Sequence, residues 1–184
     1  MSEEPRGGRL LIATISLLDP NFGRTVVLLC EHRSDQGSYG LVLNRPIEVP
    51  AEVHERLPFV EGCLYQGGPV RPDTLQVLHP YGEAVPGAVE VLPGVYLGGD
   101  FETLCDCVGS GSVDPAKCRF FLGYSGWGEE QLDHECHDGS WLVAPADAGL
   151  VWDTPSEHLW SEAVRRSGHT DPIYCHYPED PSWN

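Results

Sequence analysis

RFFLGYSGWGEEQLDHECHDG, residues 119–139, is the stretch of this chain with the densest structural information. It opens with a Phe-Phe-Leu run, and such bulky residues are typical of a strand. The glycines of residues 123–128 then predict a break in the strand, because glycine adopts backbone angles that are closed to other residues. A short helix is predicted from Glu129, where acidic residues favour the first turn, and Gly139 is predicted to end it. We therefore predict that this strand, turn and helix form the centre of the fold.

The rest of the chain carries mainly strand patterns early and helical patterns late. We predict strands at residues 10–15, 25–30, 39–43, 64–66, 75–79, 89–92, 95–97, 141–143 and 150–152. We predict helices at residues 48–56, 101–108 and 157–166, with Thr154 as the cap of the last. Because few strand–helix–strand units alternate, the pattern favours one α+β domain with a mainly antiparallel, curved sheet.

The length of 184 residues corresponds to one domain with a substantial core. We predict a disordered amino terminus over residues 1–7, one domain over residues 8–168 and an irregular tail over residues 169–184. No apolar run approaches the roughly 20 residues of a membrane span, and the acidic amino terminus lacks the pattern of a signal peptide. Seven cysteines without such a signal favour a reducing compartment. The chain is therefore predicted to be cytoplasmic and without membrane association.

The formal net charge of −17 bears on the partners that the chain can bind. Proteins bind nucleic acids largely through Lys and Arg side chains on phosphates. The eleven Lys and Arg residues of this chain are scattered, and the only adjacent pair is Arg165-Arg166. The charge therefore argues against direct binding of nucleic acid, and it is otherwise an ordinary means of maintaining solubility.

Four ordered blocks of sequence resemble the AlgH/YqgE family of small bacterial proteins. The blocks are GRLLIATISLLDPNFGRTVVLLCE at residues 8–31, GLVLNRP at 40–46, GGPVRPDTLQVLH at 67–79, and GYSGW at 123–127 followed by Gln131, Leu132 and Glu135. The resemblance covers residues 8–168 and departs from the family's usual residues at Ser125, Glu130 and Cys136. It implies a bent sheet that approaches a barrel and is flanked by a few helices. Members of the family are often described as transcriptional regulators, and the resemblance implies no particular enzymatic activity.

The run at residues 134–137 contains residue types that bind zinc, namely His134, Cys136 and His137. On one helix, however, Cys136 points about 200° away from His134, so the three side chains cannot converge on one ion. The other nearby cysteines lack the paired spacing of a zinc knuckle. We therefore predict no metal site and no cofactor, and we expect buried or partly buried thiols.

Ser125 lies between a predicted strand and a predicted helix, as the nucleophile of many hydrolases does. The usual motif places glycine two residues on either side of the serine, whereas Trp127 follows Ser125 at that distance. The pattern of a serine hydrolase is therefore not met. Gly67 and Gly68 leave two alternatives open, an anion-binding nest of backbone amides or a plain tight turn. Pro69 favours the turn, because it has no N–H to donate.

A stronger candidate is one face of the helix predicted from Glu129. Gln131 and Glu135 lie one turn apart beside an apolar stripe, and Tyr124 and Trp127 precede them closely in the chain. Two alternatives stay open for Glu135. It is either an acid or base whose pKa aromatic neighbours raise, or a structural residue that accepts hydrogen bonds from loop amides or pairs with Arg45.

The predicted ligand-binding candidates combine these residues with positions implied by the family resemblance. They are Asn44, Arg45, Gly67, Gly68, His79, Tyr124, Trp127, Gln131 and Glu135. The first functional hypothesis is a non-enzymatic regulatory protein that contacts a protein or a small ligand. The alternative is a small-molecule-binding protein or enzyme that uses a cleft around Asn44, His79, Tyr124 and Glu135. The sequence identifies neither the partner nor a catalytic residue.

Overall fold

Nine strands and five α-helices make up the part of the chain that the structure describes, residues 4–168 of a computed structural model. The strands are β1 Arg9–Ala13, β2 Val26–Arg33, β3 Gly37–Val42, β4 Leu64–Gln66, β5 Val70–His79, β6 Val89–Leu92, β7 Val95–Leu97, β8 Arg119–Trp127 and β9 Trp141–Pro145. The helices are α1 Ala51–Arg56, α2 Phe101–Gly109, α3 Gln131–His137, α4 Ala148–Trp152 and α5 Ser156–Arg166, with short 3-10 helices at Pro58–Val60 and Pro115–Lys117. The predicted tail at residues 169–184 lies outside the described residues, as do residues 1–3 of the predicted amino-terminal segment.

The strands form one curled sheet in the order β6-β7-β5-β8-β3-β2-β1-β9. Neighbours along this order run antiparallel, and the short β4 pairs with β8 in parallel at the side of the path. The sheet curls into a half-barrel, which confirms the prediction of an α+β fold with a mainly antiparallel, curved sheet. β6 and β9 are the two ends of the order, so each has one hydrogen-bonded neighbour within residues 4–168.

The continuous apolar runs of β1 and β2 follow from helices on both faces of this part of the sheet. Leu10 faces a core cluster that contains Trp160 of α5. Its neighbour Leu11 faces the opposite side, in a cluster that contains Leu132 of α3. Because successive strand residues point to opposite faces, a strand that is covered on both faces needs apolar residues at every position.

β8 continues through residues 123–128 as far as Trp127, so the break predicted there is wrong. Its first part pairs with β4 and β5, and residues 125–127 pair with β3. Gly123 has a φ of 69°, in the left-handed region that favours glycine. A Cβ at Gly123 would lie 2.6 Å from Gly68 O. Glycine therefore lets the strand bend and change partners, and it does not end the strand.

Two helix starts differ from their predictions. α3 begins at Gln131 rather than at Glu129, because Glu130 has a left-handed φ of 57° and turns the chain first. α5 begins after Pro155, whose ring presets a φ suited to the start of a helix, and no side chain caps it. Thr154 therefore does not have the predicted capping role.

α4 replaces the strand predicted at residues 150–152. Asp147 Oδ1 accepts the N–H of Leu150 at 2.8 Å, and this N-cap starts a helix in a run that is apolar like a strand. The helix predicted at residues 101–108 is confirmed as α2, which Asp100 caps through the N–H of Thr103 at 2.8 Å. No helix within residues 4–168 has the length and the apolar character that crossing a membrane requires.

Candidate functional site

Glu135 on α3 is the centre of a hydrogen-bond network among aromatic residues. Its Oε2 accepts the indole N–H of Trp127 at 2.9 Å and that of Trp141 at 2.8 Å. Its Oε1 accepts the side-chain amide of Gln131 at 2.8 Å, and Gln131 Oε1 accepts the backbone N–H of Gly128 at 3.0 Å. Both carboxylate oxygens are therefore occupied by side chains of the chain itself, and the loop amide is bound by Gln131 instead of Glu135.

Phe22, Trp127 and Trp141 pack around this carboxylate. The ring of Phe22 stacks on Trp127 at a centroid distance of 5.9 Å and meets Trp141 edge-on at 5.4 Å. Trp127 and Trp141 are only 5% and 3% exposed, so their N–H groups need an acceptor inside the protein. By supplying it, Glu135 connects the end of β8, α3 and β9, and this geometry favours the structural alternative for that residue.

Gly67 and Gly68 lie where β8 crosses from one half of the sheet to the other. The N–H of Gly67 donates to Leu122 O at 2.9 Å, and its carbonyl accepts the Ser125 hydroxyl at 3.1 Å. A Cβ at Gly68 would lie 2.3 Å from the carbonyl carbon and oxygen of Tyr124. The pair therefore permits a close approach of two backbones, and the Gly67 amide is not available to an anion.

Asn44 and Arg45 bind the loop before β2. Asn44 Oδ1 accepts the N–H of Val26 at 2.9 Å, and its Nδ2 donates to Arg24 O at 2.9 Å. Arg45 Nη2 donates to a carbonyl of the same loop at 3.0 Å, and it is not the partner of Glu135. The two residues line a small cleft of about 360 Å³ beside α5.

His79 at the end of β5 is fully buried and bonded through both ring nitrogens. Its Nε2 donates to Gly98 O at 2.8 Å, while its Nδ1 accepts the N–H of Tyr81 at 3.2 Å. These two bonds fix one neutral tautomer. Burial lowers the pKa of His79 from its ordinary value, because the charged imidazolium is poorly solvated there.

We expect His79→Gln to reduce the loss of stability at acidic pH. The pKa of folded His79 is lowered, so its stabilising contribution is complete above the unfolded value of 6.5 and is lost as pH falls below it. The variant should be less stable than the wild type at about pH 7.5, and the gap should narrow at about pH 5.5, by at most about 1.4 kcal/mol per pH unit. Urea unfolding of both proteins at both pH values measures the difference between their free energies of unfolding. The other histidines are the same in both proteins, so their contributions cancel in this difference. A gap that does not change with pH would contradict a neutral, buried His79.

The structure places the zinc-binding residue types His134, Cys136 and His137 on α3. Within residues 4–168, no group of three or more His, Cys, Asp or Glu side chains is placed to hold a metal ion. The six cysteines of this part of the chain are free thiols. Burial raises the pKa of Cys63 to about 11 and the pKa values of Cys118 and Cys136 to about 12. These three thiols therefore stay protonated near neutral pH and are poor nucleophiles.

A groove of about 1260 Å³ runs along the edge of β9 that has no paired strand within residues 4–168, and it is called here the β9 groove. Its lining includes Asp133 and His137 of α3, the β9 residues Trp141, Val143 and Pro145, and Arg166 at the end of α5. We call α3 and the end of α5 the two walls of the groove, because both contribute lining residues beside the strand. A groove beside an edge strand offers both side chains and main-chain hydrogen-bonding groups to a ligand.

His32 and Asp133 connect α3 to the β2–β3 hairpin at one wall of the β9 groove. His32 Nδ1 lies 2.8 Å from Ser38 Oγ, and its Nε2 lies 3.5 Å from Asp133 Oδ1. The N–H of Glu130 donates to Ser34 O at 2.9 Å and strengthens the same connection. Asp133 Oδ2 is buried and has no hydrogen-bond partner within the described residues. The Asp133 side chain as a whole is 37% exposed, so part of this acidic group is accessible from the groove.

The structure distributes the nine predicted site residues over four places. Gly67, Gly68 and Tyr124 meet at the bend of β8; Trp127, Gln131 and Glu135 share the indole network; Asn44 and Arg45 line the small cleft; and His79 lies beside β7. The residues of the β9 groove, such as Asp133 and Val143, were not among the predicted candidates. The groove depends on which strand ends the sheet, and residue spacing carries no signal for strand order.

Known proteins are similar to this chain over most of its length, in sequence and in fold. A family model described as AlgH-like matches residues 10–171. A UPF0301 protein of Chlorobium limicola is 42% identical over 180 residues, which cover 97% of this chain and 96% of the relative. The solution structure of the AlgH protein from Pseudomonas aeruginosa has a TM-score of 0.71 at 32% identity and covers 98% of this chain and 99% of that one.

A crystal structure of a protein from Corynebacterium diphtheriae has the same fold. Its TM-score is 0.74 at 24% identity, and the match covers 96% of this chain and 95% of that chain. At this identity the likeness concerns the fold alone. The names of these proteins state no activity.

Proposed function

This chain belongs to the AlgH-like family, and on that premise we propose that it acts by binding a partner in the β9 groove, with a regulatory role in the cytoplasm. One observation carries the proposal. The groove joins a strand edge that has no paired strand within residues 4–168 to the partly exposed side chain of Asp133. Clefts with a few unsatisfied polar groups are the usual sites of ligands.

The other candidate side chains support this choice, because they already bond to the chain itself. Glu135, Asn44 and His79 each use their polar atoms in internal hydrogen bonds. A ligand at those positions has to break existing bonds, and breaking a buried bond costs about 1–3 kcal/mol. The β9 groove requires no such exchange.

Binding without catalysis is favoured by the groups beside the groove. Ser38, His32 and Asp133 are the residue types of a catalytic triad, but Ser38 is buried and lies on the Nδ1 side of the imidazole. In the serine hydrolase arrangement Nε2 faces the serine. The Cys136 thiol, with a pKa raised to about 12, is not a nucleophile near neutral pH.

A small ligand near Asn44, His79, Tyr124 and Glu135 is the rival hypothesis. These four residues have no partner in common among the described residues, which weakens the case for one cleft. The cleft of about 360 Å³ beside Asn44 and Arg45 is the place where a small ligand is expected under that hypothesis.

The proposal is tested by screening two libraries, one of short peptides and one of small polar metabolites, against the purified protein by thermal shift. A ligand at about 100-fold its dissociation constant adds about 2.7 kcal/mol of stability, which raises the melting temperature of a domain of this size by roughly 5–10 °C. Each hit is then mapped by amide chemical shifts in the ¹⁵N-labelled protein. We expect changes at Gly139 and Leu142 in the β9 groove and none at Gly109, which lies at the end of α2.

Two results would contradict the proposal. One is the absence of any hit in both libraries. The other is a set of hits that shift the amides around Asn44 and Arg45 while the groove amides stay unchanged, which would favour the rival small-ligand hypothesis. A variant also tests the groove: Asp133→Asn changes its acidic side chain, and Asp106→Asn is the matched control, because Asp106 is exposed on α2 and carries the same charge. Only Asp133→Asn should reduce the affinity of the protein for a ligand in the β9 groove.

A further inference from the structure

The hydrogen bonds between β1 and β9 determine which backbone groups of β9 face the groove. The N–H of Thr14 donates to Ser140 O at 3.0 Å. In an antiparallel pair, bonded and non-bonded positions alternate, so the bonds to β1 fall on Leu142 and Ala144. Val143 therefore directs its N–H and C=O away from β1, toward the free edge. No hydrogen bond to either group is found within residues 4–168.

The outward groups form a short, well-defined row. Trp141 and Val143 each contribute an N–H and a C=O to it by the same alternation. Pro145 contributes a carbonyl and no N–H, so it ends the row of donors. An extended peptide presents donors and acceptors in the same alternating pattern and is therefore complementary to this edge.

The two walls determine which side chains an extended segment can carry. The Asp133 side chain on the α3 wall is 37% exposed, and its Oδ1 lies 3.5 Å from His32 Nε2. On the opposite wall, the Arg166 guanidinium donates to Asp147 at 2.7 Å and to Glu162 at 2.6 Å, so its charge is already balanced. The unbalanced charge in the groove is therefore negative, and the whole chain has a formal net charge of −17. A basic segment is favoured over an acidic one.

We infer that the β9 groove binds an extended segment of a partner protein, which pairs with β9 as an additional strand and places a Lys or Arg side chain at Asp133. The inference rests on the proposed function, since it names the class of partner for the same groove. A second copy of the chain is a poorer occupant, because it brings the same negative charge to the same edge.

The test uses an acetylated and amidated peptide of alternating valine and lysine as a probe. Hydrogen exchange of the labelled protein is recorded by NMR with and without the peptide. In the free protein, the Val143 amide should exchange faster than the amides of Leu142 and Ala144, which bond to β1. The peptide should protect Val143 and leave its two neighbours unchanged, and the wild-type protein suffices for this measurement.

Two modified peptides separate backbone pairing from side-chain binding. The same peptide with alternate N-methylated amides should not bind, because it cannot donate along the β9 edge. A peptide with glutamate in place of lysine should bind at least about tenfold more weakly, because it meets Asp133 with the same charge. Asp133→Asn should reduce this preference for lysine, while Asp106→Asn should not change it.

A protein variant tests the outward donor directly. Val143→Pro removes an N–H that faces away from β1, at a position that tolerates proline in an edge strand, and it also shortens a side chain that packs against the Leu11 cluster. The variant should bind the valine–lysine peptide about tenfold more weakly than the wild type does, as expected for the loss of one backbone hydrogen bond. If this variant does not fold, the exchange of Val143 in the wild type still decides the question.

The failure of this inference is distinguishable from the failure of the proposed function. If groove ligands exist but leave the Val143 amide unprotected, or if the N-methylated peptide binds equally well, strand addition is refuted and the groove remains a binding site. If the free protein forms a dimer that protects Val143, a second copy is the occupant and the inference is refuted. If neither library yields a groove ligand, both proposals are refuted.

Discussion

Replacing Gly67 by alanine is expected to lower the free energy of unfolding by about 3 kcal/mol. A Cβ at Gly67 would lie 2.4 Å from Gly123 O and 3.1 Å from both Leu41 Cδ2 and Phe121 Cβ. The first of these atoms is backbone of β8 and cannot rotate away, so the sheet has to open where β8 changes partners. The melting temperature should fall by roughly 6–12 °C, measured by thermal unfolding.

Gly109→Ala is the matched control for this substitution. Gly109 ends α2, and a Cβ there would meet no atom within 4 Å. Alanine in a helix loses less conformational entropy than glycine, so this variant should be unchanged or more stable by up to about 1 kcal/mol. If Gly67→Ala melts within about 2 °C of the wild type, the close approach of the two backbones is not a constraint on the fold.

Glu135→Ala is expected to lower the free energy of unfolding by about 2–3 kcal/mol, because it leaves the N–H groups of two buried indoles without an acceptor. The carboxylate accepts from Trp127 and Trp141 through the same oxygen and from Gln131 through the other. The melting temperature should fall by roughly 4–12 °C in thermal unfolding. Glu135→Gln should cost less, since it keeps one acceptor oxygen for the indoles.

Two further variants serve as a control and as a test of coupling for the Glu135 substitution. Glu129→Ala removes an exposed carboxylate a few residues earlier and should change stability by less than about 0.5 kcal/mol. Gln131→Ala breaks part of the same network, so the double variant with Glu135→Ala should lose less than the sum of the single losses. If Glu135→Ala leaves the melting temperature unchanged or raises it, the network is not structural, and Glu135 becomes the first residue to examine for ligand binding.

Sequence patterns predicted the fold where one local rule dominated. The apolar run at residues 10–12 indicated a buried strand, and burial on both faces is the physical reason for it. The prediction was wrong where two local rules competed. Glycines at residues 123–128 indicated a break, but the pairing of β8 with two different partners kept the strand extended. At α4, the cap from Asp147 overrode the strand preference of the residues after it.

Sequence patterns were less informative about the candidate site. The proximity of Gln131 and Glu135 on one helical face was predicted from their spacing, and their hydrogen bond shows that proximity. The role of Trp141 as the second indole partner depended on β9 packing beside α3, and a contact between separate elements has no local signal. The β9 groove likewise arises from strand order, so it is visible only once the sheet is assembled.

The order of strands in the sheet also affects how the chain is made. β1 is translated before the other strands. Its sheet neighbour β9, and β8, which pairs with β3, are translated only after β1–β7. Until then, the apolar residues of β1 and β2 are exposed beside an open strand edge, a state that is prone to aggregation. We therefore expect the domain to close only after β8 and β9 have been translated, and a nascent chain halted before β8 to depend on chaperones.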